Sequence, residues 1–584
     1  MEAKTDGFSQ AAEVDWRNPR SLGKGEMKET PLNHSARYFW VFLLGLLVLV
    51  VLCIAFLSLV PPVIKDELVH HLAVPKLYLQ HGGMVEIPFM DFSYYPMNVD
   101  LLYLIPLYFG NDILPKFIHF GFALLTAGLL YRYLKRRTGV SYALLGVVFL
   151  LSIPVIVKLS ISAYIDLGVV FFSFASLLFL LKWAESGPKM RFLILSGIMA
   201  GLAMGTKYNA LLTTAILALF VPVLYEQHGK GGFFRSALHG LLFLTVALMV
   251  FSPWMVRNYS WKKNPIYPLY EHRLNPPKSI APGEDQDRDE SISSGLGIFV
   301  IREKIYQETG WEIALVPLRI FFEGRDGSPK QFDGELNPFL LLFSLLAFWR
   351  MKEDPEGLKA EKKIMIAFVA LFFAIAFFTS DLRIRYIAPI IPPLVILSVL
   401  GLAKATSFVQ SIKGGRARAA GFLVVGSAVV FALVLNGRYL LGQFESVQPF
   451  TYVSGEVSRD EYIARYRPEY PAMKYINETL PSNAFVSFLF LGKRGYYCDR
   501  NYVYDEIQVG GFFREARAPE NIFDSFARSG ITHLLLYDPL LQKWIKNSFN
   551  DEKIKIINDF FINYTKVKYT NNNFYVLSLE KPLS

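Results

Sequence analysis

Apolar residues in this sequence are gathered in long runs, and this feature constrains the fold more than any other. The first run, residues 38–60, is long enough to cross a lipid bilayer as a helix. Similar runs recur along the chain without the amphipathic period of a surface helix. Hydrophobic residues make up 53% of the 584 residues and charged residues only 19%, a balance that excludes an ordinary soluble protein. The sequence therefore predicts a polytopic α-helical membrane protein.

We predict about eleven membrane spans, with twelve or thirteen as alternative counts. Several apolar runs are shorter than the roughly 20 residues that a span needs, so the limits of the spans are approximate. A further apolar stretch, residues 97–109, is short and contains Pro106. The predicted spans are residues 38–60, 114–133, 142–157, 167–183, 192–204, 210–225, 237–255, 338–349, 364–378, 386–403 and 421–435.

The distribution of Lys and Arg decides whether residues 97–109 cross the membrane. If they do not cross and the N-terminus lies inside, five loops with an excess of basic residues all face the cytoplasm, as the positive-inside rule requires. We therefore predict a re-entrant or interfacial segment, an inner (cytoplasmic) membrane location and a C-terminus on the periplasmic or extracellular side. The net charge of +10 then requires no nucleic acid partner. The five basic loops are residues 132–139, 182–191, 226–235, 349–363 and 404–418.

The domain organisation follows from where the apolar runs begin and end. Residues 1–37 are polar and lack the cleavage site of a signal peptide, so we predict a cytoplasmic N-terminal tail. Residues 38–439 form the predicted transmembrane domain, whose outer loops are residues 61–96 and 256–337. Residues 440–584 are predicted to form an exported, water-soluble domain.

The C-terminal region alternates the patterns of strands and helices. Residues 484–492 and 532–538 contain the short apolar runs of buried strands, and residues 519–530 have the pattern of a helix. Residues 566–580 indicate a hairpin that turns at its asparagines. A small α/β domain is therefore expected here.

Ionisable residues near the spans gather at the predicted outer ends of those spans. Charged groups close to the hydrocarbon are costly, and they usually face a bundle interior or a wet cavity. A single Lys or Arg can instead extend to the interface, but an outer face rich in basic residues runs against the usual charge bias. We therefore interpret the whole group as a functional site. Its members are Asp66, Glu67, Asp166, Lys207, Arg257, Arg383 and Arg385.

This mixture of acids and bases suits one kind of reaction. Carboxylates at the mouth of a cavity can accept a proton from an attacking hydroxyl. Lys and Arg bind phosphate, and a lipid-linked phosphate lies at the bilayer edge, where these residues are predicted to be. We interpret the group as a site of sugar transfer from a polyprenyl-phosphate-linked donor, with the lipid phosphate as leaving group. The expected partners are this donor, membrane lipid, and an acceptor that is a glycan, a lipid or a protein.

Several motifs on the same predicted face resemble the GT-C superfamily of glycosyltransferases. The branch in question contains protein O-mannosyltransferases, lipid A aminoarabinose transferases and lipopolysaccharide galacturonosyltransferases. The resemblance covers most of residues 38–400 and implies a GT-C-like membrane fold. The motifs are "KDELVHHLAVPKLYLQHG" at 65–82, "YYPMNVDLLYLIPLYFGND" at 94–112, "AYIDLGVVFF" at 163–172, "GTKYNALL" at 205–212, "RNYSWKKNPIYPLY" at 257–270 and "RIRYIAPIIPPL" at 383–394.

The resemblance also implies roles for individual residues. Asp66 matches the first residue of the acidic pair and is the general-base candidate for an inverting transfer, while Glu67 would orient Asp66 or the acceptor. Asp166 matches the second acidic position, where it would orient the base or help to hold a metal. The basic residues are interpreted as ligands of the donor phosphate, and they are Lys207, Arg257, Arg383 and Arg385. Of the last two, we expect at most one to face the phosphate.

Other assignments stay open from the sequence alone. Asp66 also fits a helix N-cap, because Asp is favoured there and an apolar helix follows. His70 lies one turn after Asp66 and could bind a divalent metal with it, although we prefer a structural role for this histidine. No cofactor is certain, and a divalent metal is one alternative. A transporter or flippase of a lipid-linked sugar would share the cavity and the basic residues, and a non-catalytic scaffold is a further alternative, but the chain shows no internal repeat.

Overall fold

The computed structural model describes residues 34–187, 189–226, 232–275, 298–379 and 382–582, most of which are helical. The predicted tail, residues 1–37, lies outside this range except for its last four residues. Residues 227–231 of a predicted basic loop and residues 276–297 of the second predicted outer loop also lie outside it.

The longer helices of the membrane region follow the apolar runs of the sequence. The first of them ends at Leu57, shortly before Pro61 and Pro62, which cannot continue a helix because proline lacks the backbone N–H. The helices of eight or more residues up to residue 447 are His34–Leu57, Ala73–Gln80, Asp100–Tyr108, Leu114–Thr138, Val140–Ser152, Asp166–Glu185, Met190–Met204, Ala210–Glu226, Phe233–Lys262, Phe339–Leu346, Glu356–Thr379, Ile391–Ser411 and Gly415–Val447.

Shorter helical turns connect these helices. The first is a π-helical turn that carries the acidic motif. The turns within the described residues are Glu67–His71, Asp91–Tyr94, Pro154–Ser160, Glu271–Leu274, Ile298–Val300, Ile301–Ile305, Gly310–Ala314, Val316–Arg319, Pro329–Gln331, Met351–Glu353 and Ile384–Ile390.

Six helices of the described residues are long and apolar enough to cross a bilayer. Val140–Ser152 and Pro154–Ser160 form a seventh candidate that is bent by 66°, at the point where Pro154 interrupts the helical hydrogen bonds. Four further predicted spans are also helical but do not belong to this set, so the count of about eleven stays a prediction. The six helices are Tyr38–Leu57, Leu114–Thr138, Asp166–Glu185, Phe233–Lys262, Ile384–Ser411 and Gly415–Val447.

Small residues let neighbouring helices of the bundle approach closely. A Cβ atom added at Gly201 would lie 2.5 Å from the carbonyl oxygen of Ala247, and one at Gly197 would lie 3.0 Å from the carbonyl oxygen of Phe243. Glycine at these two positions therefore brings the backbones of two helices together, a common way of packing helices in membranes. This packing sets the rotation of the helix Met190–Met204. The turn that carries Lys207 (the Lys207 turn) comes directly after this helix.

The stretch at residues 97–109 contains the helix Asp100–Tyr108, which has nine residues. At about 1.5 Å per residue it is far shorter than the roughly 30 Å hydrocarbon core, so it cannot cross the bilayer as a helix. This agrees with the prediction of a segment that does not span.

The C-terminal region forms the predicted α/β domain. The helix Gly415–Val447 joins this domain to the membrane region and continues past the predicted boundary at residue 440. The strands are β1 (Phe485–Leu489), β2 (Asn501–Val503), β3 (His533–Tyr537), β4 (Thr565–Asn571) and β5 (Phe574–Leu579), in the order β2-β1-β3-β5-β4. The helices are Pro449–Val453, Arg459–Tyr466, Tyr470–Thr479, Glu506–Glu515, Pro519–Arg528, Asp538–Ser548 and Asp551–Asn563.

The sheet contains both parallel and antiparallel pairs of strands. β1 runs parallel to both β2 and β3, whereas β5 is antiparallel to β3 and β4. The predicted hairpin is confirmed, and it turns at Asn572 and Asn573, whose φ angles are 49° and 65°. Asparagine tolerates this left-handed conformation better than most residues.

The C-terminal domain contacts the loop that carries the acidic motif. The Tyr496 backbone N–H donates to the carbonyl oxygen of Leu68 at 3.2 Å, and the Tyr497 hydroxyl donates to the carbonyl oxygen of Pro62 at 2.7 Å. Lys76 donates to the carbonyl oxygens of Tyr496 and Cys498 at 2.6 and 3.1 Å. The segment between β1 and β2 therefore fixes the acidic loop from the side of the soluble domain.

Candidate active site

Asp66 forms an ion pair with Arg385, 319 residues further along the chain. Oδ2 of Asp66 accepts from Nη1 of Arg385 at 2.7 Å, and the Asp66 side chain is 25% exposed. Asp66 has helical φ and ψ angles, and its side chain makes no capping hydrogen bond. Asp66 therefore stands at the N-cap position of the turn Glu67–His71, but its carboxylate faces Arg385 instead of capping the turn.

The charge state of Asp66 depends on Arg385. Burial alone would raise the pKa of Asp66, but the Arg385 guanidinium, with a smaller effect from His70, holds that pKa well below its usual range. Asp66 is therefore ionised at neutral pH. While this pair persists the carboxylate is a weak base, because a low pKa means a low affinity for protons.

Asp166 and Lys207 form the second ion pair of the site. Lys207 Nζ donates to Oδ1 of Asp166 at 2.7 Å, and the Asp166 side chain is only 3% exposed. Oδ2 of Asp166 is buried and has no hydrogen-bond partner among the described residues. A buried polar atom without a partner is costly, so this oxygen is available for a donor that a ligand would bring.

Aromatic rings join the two ion pairs into one cluster. The guanidinium of Arg385 lies 5.2 Å from the ring centres of both Tyr164 and Tyr386, and Lys207 Nζ also lies 5.2 Å from the centre of the Tyr386 ring. Nε of Arg385 is buried without a partner in the part of the chain that the structure describes. The cluster thus holds an unused cationic donor next to two carboxylates.

Glu67 points away from this cluster and supports the backbone. Its Oε2 accepts from the Ile64 backbone N–H at 3.0 Å, and its Oε1 accepts from the Ala163 backbone N–H at 2.6 Å. Burial raises the pKa of Glu67, against the opposing effects of Lys116 and the two backbone donors. Glu67 therefore ties the acidic loop to the turn that precedes Asp166.

We expect Glu67→Gln to destabilise the protein. The amide keeps one acceptor but places an NH₂ group against a backbone N–H, and an unsatisfied buried donor costs roughly 1–3 kcal/mol. The melting temperature of the purified protein in detergent should fall, whereas Glu356→Gln, at an exposed position, should leave it unchanged. An unchanged melting temperature with lost turnover would instead place Glu67 in the chemistry.

Arg257 contacts the backbone rather than the cluster. Its Nη2 donates to the carbonyl oxygens of Tyr94 and Tyr95 at 2.6 and 3.1 Å, and its guanidinium stacks on Trp254 and Trp261. Its hydrogen bonds within the described residues reach Asn258 and the backbone at residues 94–95, and none of them joins it to the two ion pairs. These contacts support the loop at residues 94–95, and the role of Arg257 as a phosphate ligand stays a prediction.

Arg383 and Arg385 lie two residues apart and reach different carboxylates. Nη1 of Arg383 lies 3.4 Å from Oδ2 of Asp333, which belongs to the predicted outer loop at 256–337. The intervening Ile384 backbone N–H donates to the carbonyl oxygen of Phe332 at 2.8 Å and fixes this alternation. Arg385 thus joins the cluster and Arg383 pairs with Asp333, while the phosphate roles of both arginines stay predictions.

His70 and its neighbours form a buried polar group beside Asp66. His71 Nδ1 lies 2.8 Å from Oδ1 of Asp100, and His70 stacks on Phe92 with ring centres 4.5 Å apart. Burial lowers the pKa of His71 to about 3 and raises that of Asp100 to about 7, so the imidazole is neutral at neutral pH. No group of three or more His, Cys, Asp or Glu within the described residues could hold a metal ion, so the predicted metal role of His70 has no ligand set here.

Part of the chain matches a known protein family. The family model described as dolichyl-phosphate-mannose-protein mannosyltransferase matches residues 111–256, about a quarter of the chain. No curated protein matches the sequence. The crystal structure of ArnT from Cupriavidus metallidurans in the apo state is 15% identical, with a TM-score of 0.55, over 92% of this chain and 99% of ArnT.

Two further solved structures are similar. ArnT from Cupriavidus metallidurans bound to undecaprenyl phosphate has 15% identity and a TM-score of 0.54, over 93% of this chain and 99% of that one. The archaeal oligosaccharyltransferase AglB from Archaeoglobus fulgidus, in complex with an inhibitory peptide and a dolichol-phosphate, has 11% identity and a TM-score of 0.48, over 92% and 74%. The chain has a GT-C fold. The predicted resemblance to GT-C glycosyltransferases and the predicted fold class are confirmed.

Within this GT-C fold, several site residues were missed by sequence reasoning. Tyr386 directly follows Arg385 and Tyr164 lies two residues before Asp166, and their positions within the motifs at 163–172 and 383–394 could have drawn attention to them. The sequence around His71 and Asp100 did not indicate that they form a pair. The two residues are 29 positions apart, and they meet only because the fold brings their segments together.

Gly205 sets the position of the Lys207 turn, and a substitution there should disturb the site. A Cβ atom at Gly205 would lie 2.2 Å from Nδ2 of Asn98, whose backbone N–H donates to the Gly205 carbonyl oxygen at 2.8 Å. We expect Gly205→Ala to displace this turn at a cost of roughly 1–3 kcal/mol. Both the melting temperature and the affinity for undecaprenyl phosphate should fall.

The matched control for this change is Gly128→Ala. Gly128 lies within the helix Leu114–Thr138, and nothing would meet a Cβ atom there within 4 Å. If Gly205→Ala behaved like Gly128→Ala, the Lys207 turn would not depend on the close contact with Asn98.

Proposed function

We propose that this protein is an integral-membrane glycosyltransferase that moves a sugar from a polyprenyl-phosphate-linked donor to an acceptor. The observation that carries the proposal is the cluster in which Arg385 and Lys207, each paired with a carboxylate, meet at Tyr386 on a GT-C fold. ArnT of this fold has been solved with undecaprenyl phosphate bound, which supports a donor of this class.

The donor phosphate would bind to Arg385 and Lys207. Both cations lie at the ends of apolar helical regions, where a phosphate can meet them while its lipid chain remains in the bilayer. Nε of Arg385 is already free of partners within the described residues. Since phosphate competes with Asp66 and Asp166 for these cations, binding of the donor would loosen both ion pairs.

Loosening of the Arg385 pair would turn Asp66 into an effective base. The acceptor hydroxyl oxygen forms a bond to the anomeric carbon, the bond from that carbon to the phosphate oxygen breaks, and the lipid phosphate leaves with the electron pair. The hydroxyl proton passes to Asp66, whose pKa rises as the phosphate draws Arg385 away. This arrangement keeps the base weak until a donor is present, and attack from the opposite side inverts the anomeric carbon.

The remaining acids of the site would position these groups. Asp166 holds Lys207 and offers its free Oδ2 to a hydroxyl of the donor sugar. Glu67 would hold the acidic loop in place through its two backbone contacts. The acceptor would be a glycan, a lipid or a protein.

The excess of Lys and Arg in five loops supports a location of the site on the outer side of the membrane. The site and the domain after residue 440 would lie on the periplasmic or extracellular side of the inner membrane, because the five basic loops are drawn to the cytoplasm. In the same scheme residues 1–37 are cytoplasmic and residues 38–439 form the transmembrane domain.

Mass spectrometry of polyprenyl-linked sugars in cells that lack the protein would test the proposal. We expect the unused donor to accumulate, and expression of the wild-type chain should remove it, while Asp66→Asn should not. The purified wild-type protein should also bind undecaprenyl phosphate. The absence of both the accumulation and the binding would contradict the proposed transfer.

A further inference from the structure

Three side chains of the C-terminal domain form a second charged cluster, which the proposed reaction does not use. Glu469 is 2% exposed, and its Oε1 accepts from Nε of Arg494. Arg467 lies two residues before Glu469, and its Nη1 donates to the carbonyl oxygen of Tyr466 at 2.8 Å. We call Arg467, Glu469 and Arg494 the Arg–Glu–Arg cluster.

The Arg–Glu–Arg cluster has an excess of positive charge and unused hydrogen-bonding atoms of both kinds. Arg494 pairs with Glu469, Arg467 lies near enough to feel the charges of both, and burial together with the charge of Arg494 lowers the pKa of Arg467. Nε of Arg467, a donor, and Oε2 of Glu469, an acceptor, are buried without a partner among the described residues. Buried polar atoms of this kind are rarely left unpaired, so the cluster suits a ligand that brings both an anionic oxygen and a hydroxyl.

The position of the cluster relates it to the active site. Arg467 is close enough to Glu67 and Tyr164 for both to act on its charge, and Tyr164 in turn lies against Arg385. The hydrogen bonds from Tyr496 to Leu68 and from Tyr497 to Pro62 hold the neighbouring segment against the acidic loop. A ligand on the cluster would therefore lie where the C-terminal domain meets the acidic loop that carries Asp66.

We propose that the Arg–Glu–Arg cluster is an acceptor subsite that binds an oxyanion and a neighbouring hydroxyl, as presented by an acidic or phosphorylated sugar. Arg467 and Arg494 bind the oxyanion through charge-assisted hydrogen bonds, and Oε2 of Glu469 accepts from the hydroxyl. This inference rests on the proposed sugar transfer, to which it adds the chemical class of the acceptor.

Binding of soluble sugars to the purified full-length protein tests the subsite. The probes are glucose 6-phosphate and glucuronate, with glucose as the neutral control, and saturating undecaprenyl phosphate is added to occupy Arg385 and Lys207. We expect at least one anionic probe to bind and glucose not to bind. Binding of one probe alone identifies the oxyanion as a phosphate or as a carboxylate.

Two variants separate the subsite from a general charge effect. Arg467→Gln combined with Arg494→Gln should weaken binding of the anionic probe by about tenfold or more, because charge-assisted hydrogen bonds are lost. Arg465→Gln, which removes an exposed charge two residues away, should leave the affinity unchanged. The inference is overturned if neither anionic probe binds the wild-type protein, or if the double variant binds as the wild type does.

Glu469→Gln gives a test of opposite sign, which decides the matter if the double variant does not fold. The amide oxygen of glutamine can still accept from the ligand hydroxyl, while the negative charge that competes for Arg494 is gone, so an anionic probe should bind about tenfold more tightly, and an unchanged affinity would overturn the inference. Failure of the wild-type protein to bind undecaprenyl phosphate would count against the proposed donor alone, because sugar binding can then be measured without the lipid.

Discussion

Asp66→Asn is expected to lower turnover by roughly 10²–10⁴-fold, the usual contribution of a general base, while the protein stays folded. Asparagine keeps the shape of the side chain but cannot accept a proton from the acceptor. The measurement is turnover of a polyprenyl-phosphate-linked sugar by the purified protein, together with its melting temperature.

The same variant also tests the competition between Asp66 and the donor phosphate. Without the carboxylate, Arg385 loses its partner at 2.7 Å and should bind phosphate more readily. Undecaprenyl phosphate should therefore bind Asp66→Asn at least as tightly as it binds the wild-type protein. Near wild-type turnover would place the base elsewhere, and weaker lipid binding would show that Asp66 does not compete for Arg385.

Lys207→Gln is expected to damage both stability and donor binding. Asp166 would remain buried as a carboxylate without its partner, and breaking a buried ion pair in this way costs about 3–5 kcal/mol. The melting temperature in detergent should fall clearly, and undecaprenyl phosphate should bind more weakly because a cationic ligand is lost.

A second substitution distinguishes these two effects. Asp166→Asn combined with Lys207→Gln removes the buried charge, so it should restore much of the stability but none of the affinity for undecaprenyl phosphate. Lys182→Gln, at the other end of the helix Asp166–Glu185, is the control and should alter neither quantity. Wild-type affinity in the double variant would mean that Lys207 does not bind the phosphate.

Features that depend on neighbouring residues could be predicted from the sequence. Apolar runs predicted the membrane helices, because the burial of hydrophobic side chains in lipid depends mainly on local composition. The hairpin of β4 and β5 followed from its asparagines, which adopt the required left-handed backbone angles. The charges at the ends of Asp166–Glu185 and of the first span also pointed to the cluster, since an ionisable group near lipid needs a reason to be there.

Features that depend on how the helices pack were decided only by the tertiary structure. Asp66 meets Arg385 across 319 positions of the sequence, while Arg383, two residues away, turns to Asp333. Which of two alternating side chains enters a site depends on the rotation and depth of each helix, and close contacts such as Gly201 with Ala247 set these.

Asp66 and Glu67 show the same difference between features set by local sequence and features set by packing. The sequence by itself determined that this protein carries an acidic pair at the end of its first span, next to a bundle of apolar helices. Only the tertiary structure decided that Asp66 faces the cations while Glu67 binds two backbone N–H groups. The physical reason is that hydrophobicity and backbone preference act locally along the chain, whereas the partner of a charged side chain is chosen by the elements that packing brings beside it.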